Sequence, residues 1–133
     1  MYSLTVCDHI MIAHSSSGAE FGPAQRLHGA TFAVEAEFRA ASLDHLNLLI
    51  DIGLARAELR RILEAVDYRN LDDVPAFAGQ NTTTEFMAHH IFVRLAEACR
   101  TGVLGDGGRA VSGIKVLLRE SPLAWAAYEG DLG

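Results

Sequence analysis

Cysteine is scarce. The 133 residues contain only two, Cys7 and Cys99. Two distant cysteines make neither a disulfide framework nor a zinc ribbon, so both are expected to be free thiols in a reducing cytoplasm. Long apolar runs are also lacking. No uncharged stretch approaches the roughly 18–20 residues that span a bilayer, and no basic segment leads an apolar one at the N-terminus. Basic charge is in deficit: 11 Lys and Arg stand against 17 Asp and Glu, a formal net charge of -6. A nucleic-acid-binding module carries a basic face, and this balance argues against one. Apolar side chains, by contrast, are abundant. Half of the residues are hydrophobic (50%), and mean hydropathy is +0.15. One domain of this length has too much surface to bury so much apolar side chain alone. With a membrane segment excluded, burial against other subunits is the expectation.

Periodicity divides residues 1–133 into a single α+β domain. Residues 2–14 are rich in β-branched and large apolar side chains and read as a strand. Residues 15–27 carry loop chemistry, with three Ser, two Gly and one Pro. From 28 to 39 apolar and polar residues alternate, the mark of a half-buried antiparallel strand. The period then becomes helical. Ile52, Ala55, Leu59, Ile62, Leu63 and Val66 form one stripe between Asp51 and Val66. Residues 67–80 read as a loop. Thr82-Thr83-Thr84-Glu85 fits a capping box with Thr82 as N-cap and Glu85 three positions on. The helix it opens should run to about Arg100. The glycines at 102–108 end it as a turn, because they lack the strand–loop–helix context of a phosphate loop. Alternation returns over 109–119, and 123–129 is read as a short last strand. The order β-β-α-α-β-β predicts an antiparallel sheet with both helices on one face. Its other face needs cover, which again points to partners.

Six histidines are present. His14 closes the first strand and His28 opens the second, so an antiparallel pairing brings them side by side. Two imidazoles can begin a zinc site, which needs three or four N, S or O ligands; they also fit two ordinary strand-end histidines at a loop mouth. Glu85 by itself is a capping residue, Glu120 a strand-end carboxylate, and Asp67 a residue that turns the chain after the first helix.

Six fragments, in order, resemble the family of 6-pyruvoyltetrahydropterin synthase and 6-carboxytetrahydropterin synthase. IMIAH (10–14) resembles F-x-A-A-H, and RLHGATF (26–32) resembles R-L-H-G-H-x-F/Y. LLIDIGLARAELRRIL (48–63) is similar to M-V-x-D-F-x-x-L-K, and VDYRNLDDVPAF (66–77) to L-D-H-x-N-L-D-x-x-P-x-F. NTTTEF (81–86) resembles P-T-x-E-N, and LLRESPLAWAAY (117–128) resembles V-x-V-x-E-T-x-x-x-x-A-x-Y. The resemblance implies the tunnelling fold, in which subunits join their sheets into a barrel with helices outside, as a trimer or a dimer of trimers. It implies a lyase acting on a dihydroneopterin-type pterin at sites between subunits. Thr83, Thr84, Glu85 and Glu120 would bind the pterin ring, a carboxylate making two parallel hydrogen bonds to its amino and ring N–H groups. Asp67 and Tyr68 would face a neighbour's site, and His14 and His28 would hold zinc.

Three positions depart from the family pattern. Ala30 stands where the third zinc histidine is expected, Ala24 where the catalytic cysteine is, and Tyr68 where the catalytic histidine is. A phenol is a poor base at neutral pH. The implied enzyme is therefore one with altered chemistry. His9 is a candidate third zinc ligand, although its strand parity differs from that of His14. Glu20 or Gln25 is a candidate for the vacant cysteine position. The alternative is an oligomer that binds a pterin or purine-like ring without catalysis.

Overall fold

A computed structural model describes residues 1–133. Period-two segments become strands and the helical stripes become helices, in the predicted order with two small additions. β1 (Tyr2–His14) and β2 (His28–Ala40) form a long antiparallel hairpin, in register from Tyr2 opposite Ala40 to His14 opposite His28. α1 (Ile52–Glu64) is followed by a two-residue strand, β3 (Arg69–Asn70), that pairs parallel to β1. After α2 (Thr84–Thr101) come a short helix, α3 (Gly105–Arg109), and the strands β4 (Gly113–Ser121) and β5 (Ala124–Asp131). The sheet order is β3-β1-β2-β4-β5. It is therefore mixed, because β3 lies within the segment expected to be loop only.

Strand alternation assigns the two faces. Val6, Ile10 and Ile12 of β1, Phe32, Val34, Ala36 and Phe38 of β2, and Ile114, Val116 and Leu118 of β4 all point toward the helices and are buried. Ala55, Leu59, Ile62 and Leu63 of α1 and Met87, Ile91 and Leu95 of α2 meet them. Ile52 of the predicted stripe is exposed instead, because it lies in the first turn beyond the edge of the core. The opposite face is mixed in character. There Arg119 lies 4.6 Å from the ring centre of the exposed Trp125 and also donates to Glu35 at 3.1 Å.

Helix starts are set by side-chain caps. Asp51 accepts from the N–H of Leu54 at 2.9 Å, as a good N-cap should. In α2 the cap is Thr83, accepting from Phe86 N–H at 3.1 Å, not Thr82 as expected. Three consecutive threonines offer alternative caps, and Thr82 is engaged elsewhere. The glycine run is a short helix, not a plain turn. A Cβ at Gly107 would stand 2.7 Å from the Leu49 carbonyl oxygen, and one at Gly108 2.7 Å from Leu104 Cβ. The Leu49 backbone requires glycine at 107, and the Leu104 side chain leaves no room for a Cβ at 108.

Candidate functional site

The corner where β1 ends and β2 begins gathers most of the polar groups singled out from the sequence. His14 and His28 are directly opposed across the hairpin, their ring centres 4.6 Å apart and tilted by 58°. His14 is buried. Its Nδ1 lies 3.0 Å from the Thr82 carbonyl oxygen and 2.9 Å from the Thr82 hydroxyl. His28 Nδ1 lies 2.8 Å from the Arg26 carbonyl oxygen. A carbonyl only accepts, so both rings carry their proton on Nδ1 and leave Nε2 as a free acceptor. Burial, reinforced by the neighbouring His28, pushes the His14 pKa below the ordinary imidazole value. Thr82, Asp72 and Glu120 oppose that shift.

The loops around this corner are tied down by side chains that span long stretches of sequence. Asp72 accepts from both the N–H (3.1 Å) and the hydroxyl (2.6 Å) of Ser15. The Ser15 hydroxyl holds the Asp72 carboxyl below the usual carboxylate range. Asn81 pairs with the Ser17 backbone like a strand, accepting its N–H at 2.8 Å and donating to its carbonyl at 3.0 Å. The entrance to α2 is thereby fixed against the end of β1. Thr83 caps the helix, Thr84 opens it, and Glu85 is exposed in the first turn, three residues after Thr82. With the cap at Thr83, Glu85 falls one position short of a capping-box partner. Glu120 sits at the irregularity between Arg119 and Ser121, where β4 bulges against β5. Bulges re-aim side chains, and the Glu120 carboxylate is exposed yet near enough to act on His14.

Other candidates lie elsewhere. His9 pairs with Ala33 on the face of β1 opposite to His14, with its side chain 71% exposed. It is corrected as a third metal ligand: five residues of strand and the sheet itself separate the two rings. Glu20 lies on a 3-10 turn, Ala19–Gln25, with its carboxylate folded over Gly18. No hydrogen bond joins it to His14 or His28, whose ring nitrogens meet Thr82 and Arg26. Asp67 is not a free carboxylate. It accepts Met11 N–H at 2.9 Å through Oδ1 and an Arg60 N–H at 2.8 Å through Oδ2. Tyr68 follows with φ of 58° and its side chain points out, 78% exposed.

Zinc fits this arrangement incompletely. A catalytic zinc takes three protein ligands, and the corner offers two imidazoles. No group of three or more His, Cys, Asp or Glu side chains is placed to hold a metal. The groups that sequence reasoning missed are Thr82 as the partner of His14, Asp72 as the partner of Ser15, and Arg60 as the partner of Asp67. Asp72 and Thr82 lie inside the fragments VDYRNLDDVPAF and NTTTEF, but their partners are more than fifty residues away.

The family model described as 6-pyruvoyl tetrahydropterin synthase matches residues 3–131. No curated protein matches the chain. Among solved structures, 6-pyruvoyl tetrahydropterin synthase of Caenorhabditis elegans is 25% identical, with a TM-score of 0.79 over 97% of this chain and 95% of that one. The Plasmodium vivax 6-pyruvoyl tetrahydropterin synthase is 17% identical, with a TM-score of 0.78 over 98% of each chain. An uncharacterized protein of Wolinella succinogenes, 14% identical, matches with a TM-score of 0.65 over 96% and 97% of the two chains.

Proposed function

This chain belongs to the 6-pyruvoyl tetrahydropterin synthase family, and on that premise we propose that it binds a dihydropterin-type ligand at the His14–His28 corner and acts on it with altered chemistry. The observation that carries this reading is the convergence of two kinds of group. Two imidazoles with free Nε2 atoms stand near the solvent-facing carboxylate of Glu120 on its bulge, and Glu85 lies on the first turn of α2, three residues after the Thr82 that holds His14. Neither carboxylate belongs to any of the chain's nine ion pairs. A free carboxylate suits the paired N–H donors of a pterin ring. Imidazole acceptors suit the hydroxyl groups of its side chain and serve as general bases.

The site is completed in this reading by a second subunit. Tyr68 projects outward from a backbone that Asp67 and Arg60 hold, so it reaches beyond its own chain. The open sheet face exposes Met11 and Trp125, and joined sheets would cover both. The assembly proposed is a homo-oligomer, a trimer or a dimer of trimers. Asp67 acts as the positioning residue for Tyr68, and Thr83 and Thr84 shape the turn that presents Glu85. The second reading is a pterin-binding oligomer without turnover. It draws on the engaged state of Asp67, whose two oxygens accept from Met11 and Arg60, contacts that favour the ionised carboxylate over a protonated one.

Titration calorimetry with 7,8-dihydroneopterin, alongside Glu85→Ala and Glu120→Ala, tests the reading. Micromolar binding lost in both variants supports it, and no binding by the wild-type protein rejects it. Release of an aldehyde from the bound ligand then separates the enzyme from the binding oligomer.

A further inference from the structure

Four side chains share the helix-facing side of the hairpin at its closed end. Ile12 is opposite Ala30, and His14 is opposite His28. Directly opposed positions bring Cβ atoms within about 4.5–5.5 Å, and diagonal positions within about 7–8 Å. Positions 14, 28 and 30 therefore form a triangle from which three long side chains converge on one point. Two corners of the triangle carry imidazoles and the third carries a methyl group.

The orienting contacts of metal-bound histidines are present. Carbonyl oxygens hold both Nδ1 atoms, Thr82 behind His14 and Arg26 behind His28. That selects the tautomer with a free Nε2, and it is the orienting contact that metal-bound histidines usually have. The nearby acid groups supply no third ligand. Asp72 is turned toward Ser15, from which it accepts through both oxygens, and neither Asp72 nor Glu120 forms a group of three with the histidines. Ile12 is buried in the core, whereas Ala30 is only partly buried at its margin. Position 30 is thus the one place where a ligand is missing.

We propose that the His14–His28 corner works as a two-imidazole site without a resident metal, one side chain at position 30 short of a zinc centre. Both Nε2 atoms then face the organic ligand directly. This inference concerns metal alone and stands whether or not the ligand is a pterin.

Wild-type protein, Ala30→His and Ala30→Cys are each stripped with chelator, saturated with zinc and desalted, and their metal content is measured. Cobalt(II) absorption provides a second readout of tetrahedral coordination. Cysteine is included because it supplies a ligand with one added atom and so places less bulk at the core margin than histidine does; circular dichroism establishes which variants fold. The wild-type protein is expected to retain well under one zinc per chain. A folded position-30 variant should retain one, with a gain in affinity beyond the roughly 10–100-fold that an orienting partner is worth. Adding His14→Ala to that variant should abolish the gain. One zinc per wild-type chain, lost on His14→Ala, would overturn the proposal. So would folded His and Cys variants that both remain metal-free.

Discussion

Arg60 and Asp67 lock the turn after α1 onto the first strand. An Arg60 N–H reaches Asp67 Oδ2 at 2.8 Å, and the second carboxylate oxygen takes the N–H of Met11 at 2.9 Å. The Asp67 side chain is only 14% exposed, so this pair is shielded more than a surface ion pair. Asp67→Ala leaves the Met11 N–H without its protein partner and leaves Arg60 with Asp8 at 3.2 Å. A loss of about 2–3 kcal/mol is expected in urea denaturation. Asp67→Asn keeps an acceptor for Met11 and should lose about 1 kcal/mol. If Asp67→Ala kept full stability and lost only turnover, Asp67 would be a reacting group instead of a structural tie.

This role shows where sequence reading reached and where it stopped. The pairing of His14 with His28 was legible because both residues bound the same loop, and antiparallel register follows from alternation. The α1 stripe was legible from its period. Thr82 was assigned to the wrong role because three threonines in a row all satisfy a capping pattern, and the competitor for Thr82 is an imidazole 68 positions away. Arg60 gave no signal, since an arginine on the polar side of an amphipathic helix usually faces water. The glycines of α3 read as a turn because the close contact with Leu49 is set by tertiary packing.

Tyr68 occupies the left-handed region with φ of 58°, where a side chain with a Cβ is strained by roughly 1–3 kcal/mol. Its ring is solvent-exposed, so no burial offsets the strain within the chain. Tyr68→Gly should therefore melt above Tyr68→Ala, by about 1 kcal/mol. Both variants should weaken binding of a dihydropterin. Equal melting of the two variants would mean that the backbone relaxes there without cost.

Thr83 and Glu85 separate a cap from a ligand contact on one helical turn. The Thr83 hydroxyl accepts the Phe86 N–H at 3.1 Å, and Thr83→Ala should cost about 1 kcal/mol. Glu85 makes no such contact and only faces the positive end of α2, so Glu85→Ala should cost about 0.5 kcal/mol or less. Ligand affinity should follow the reverse order, falling most for Glu85→Ala. A stability loss at Glu85 larger than that at Thr83 would restore the capping-box role first read from the sequence.

His90 ties stability to pH. It is half-buried on α2, edge-on to Phe77 with ring centres 4.8 Å apart. Burial lowers its pKa, and the charges of Arg94 and His89 lower it further. The unfolded chain then takes up a proton at the ordinary imidazole value, about 6.5, before the folded chain does. Stability is fully present above that value, declines as pH falls through it, and levels off below the lowered folded value. His14, shifted in the same direction, adds to the slope. Denaturation curves collected from about pH 7.5 to 5 should show this decline, and His90→Phe, which keeps an aromatic ring against Phe77, should flatten it in part. A variant curve parallel to the wild-type one would assign the whole pH dependence to other groups.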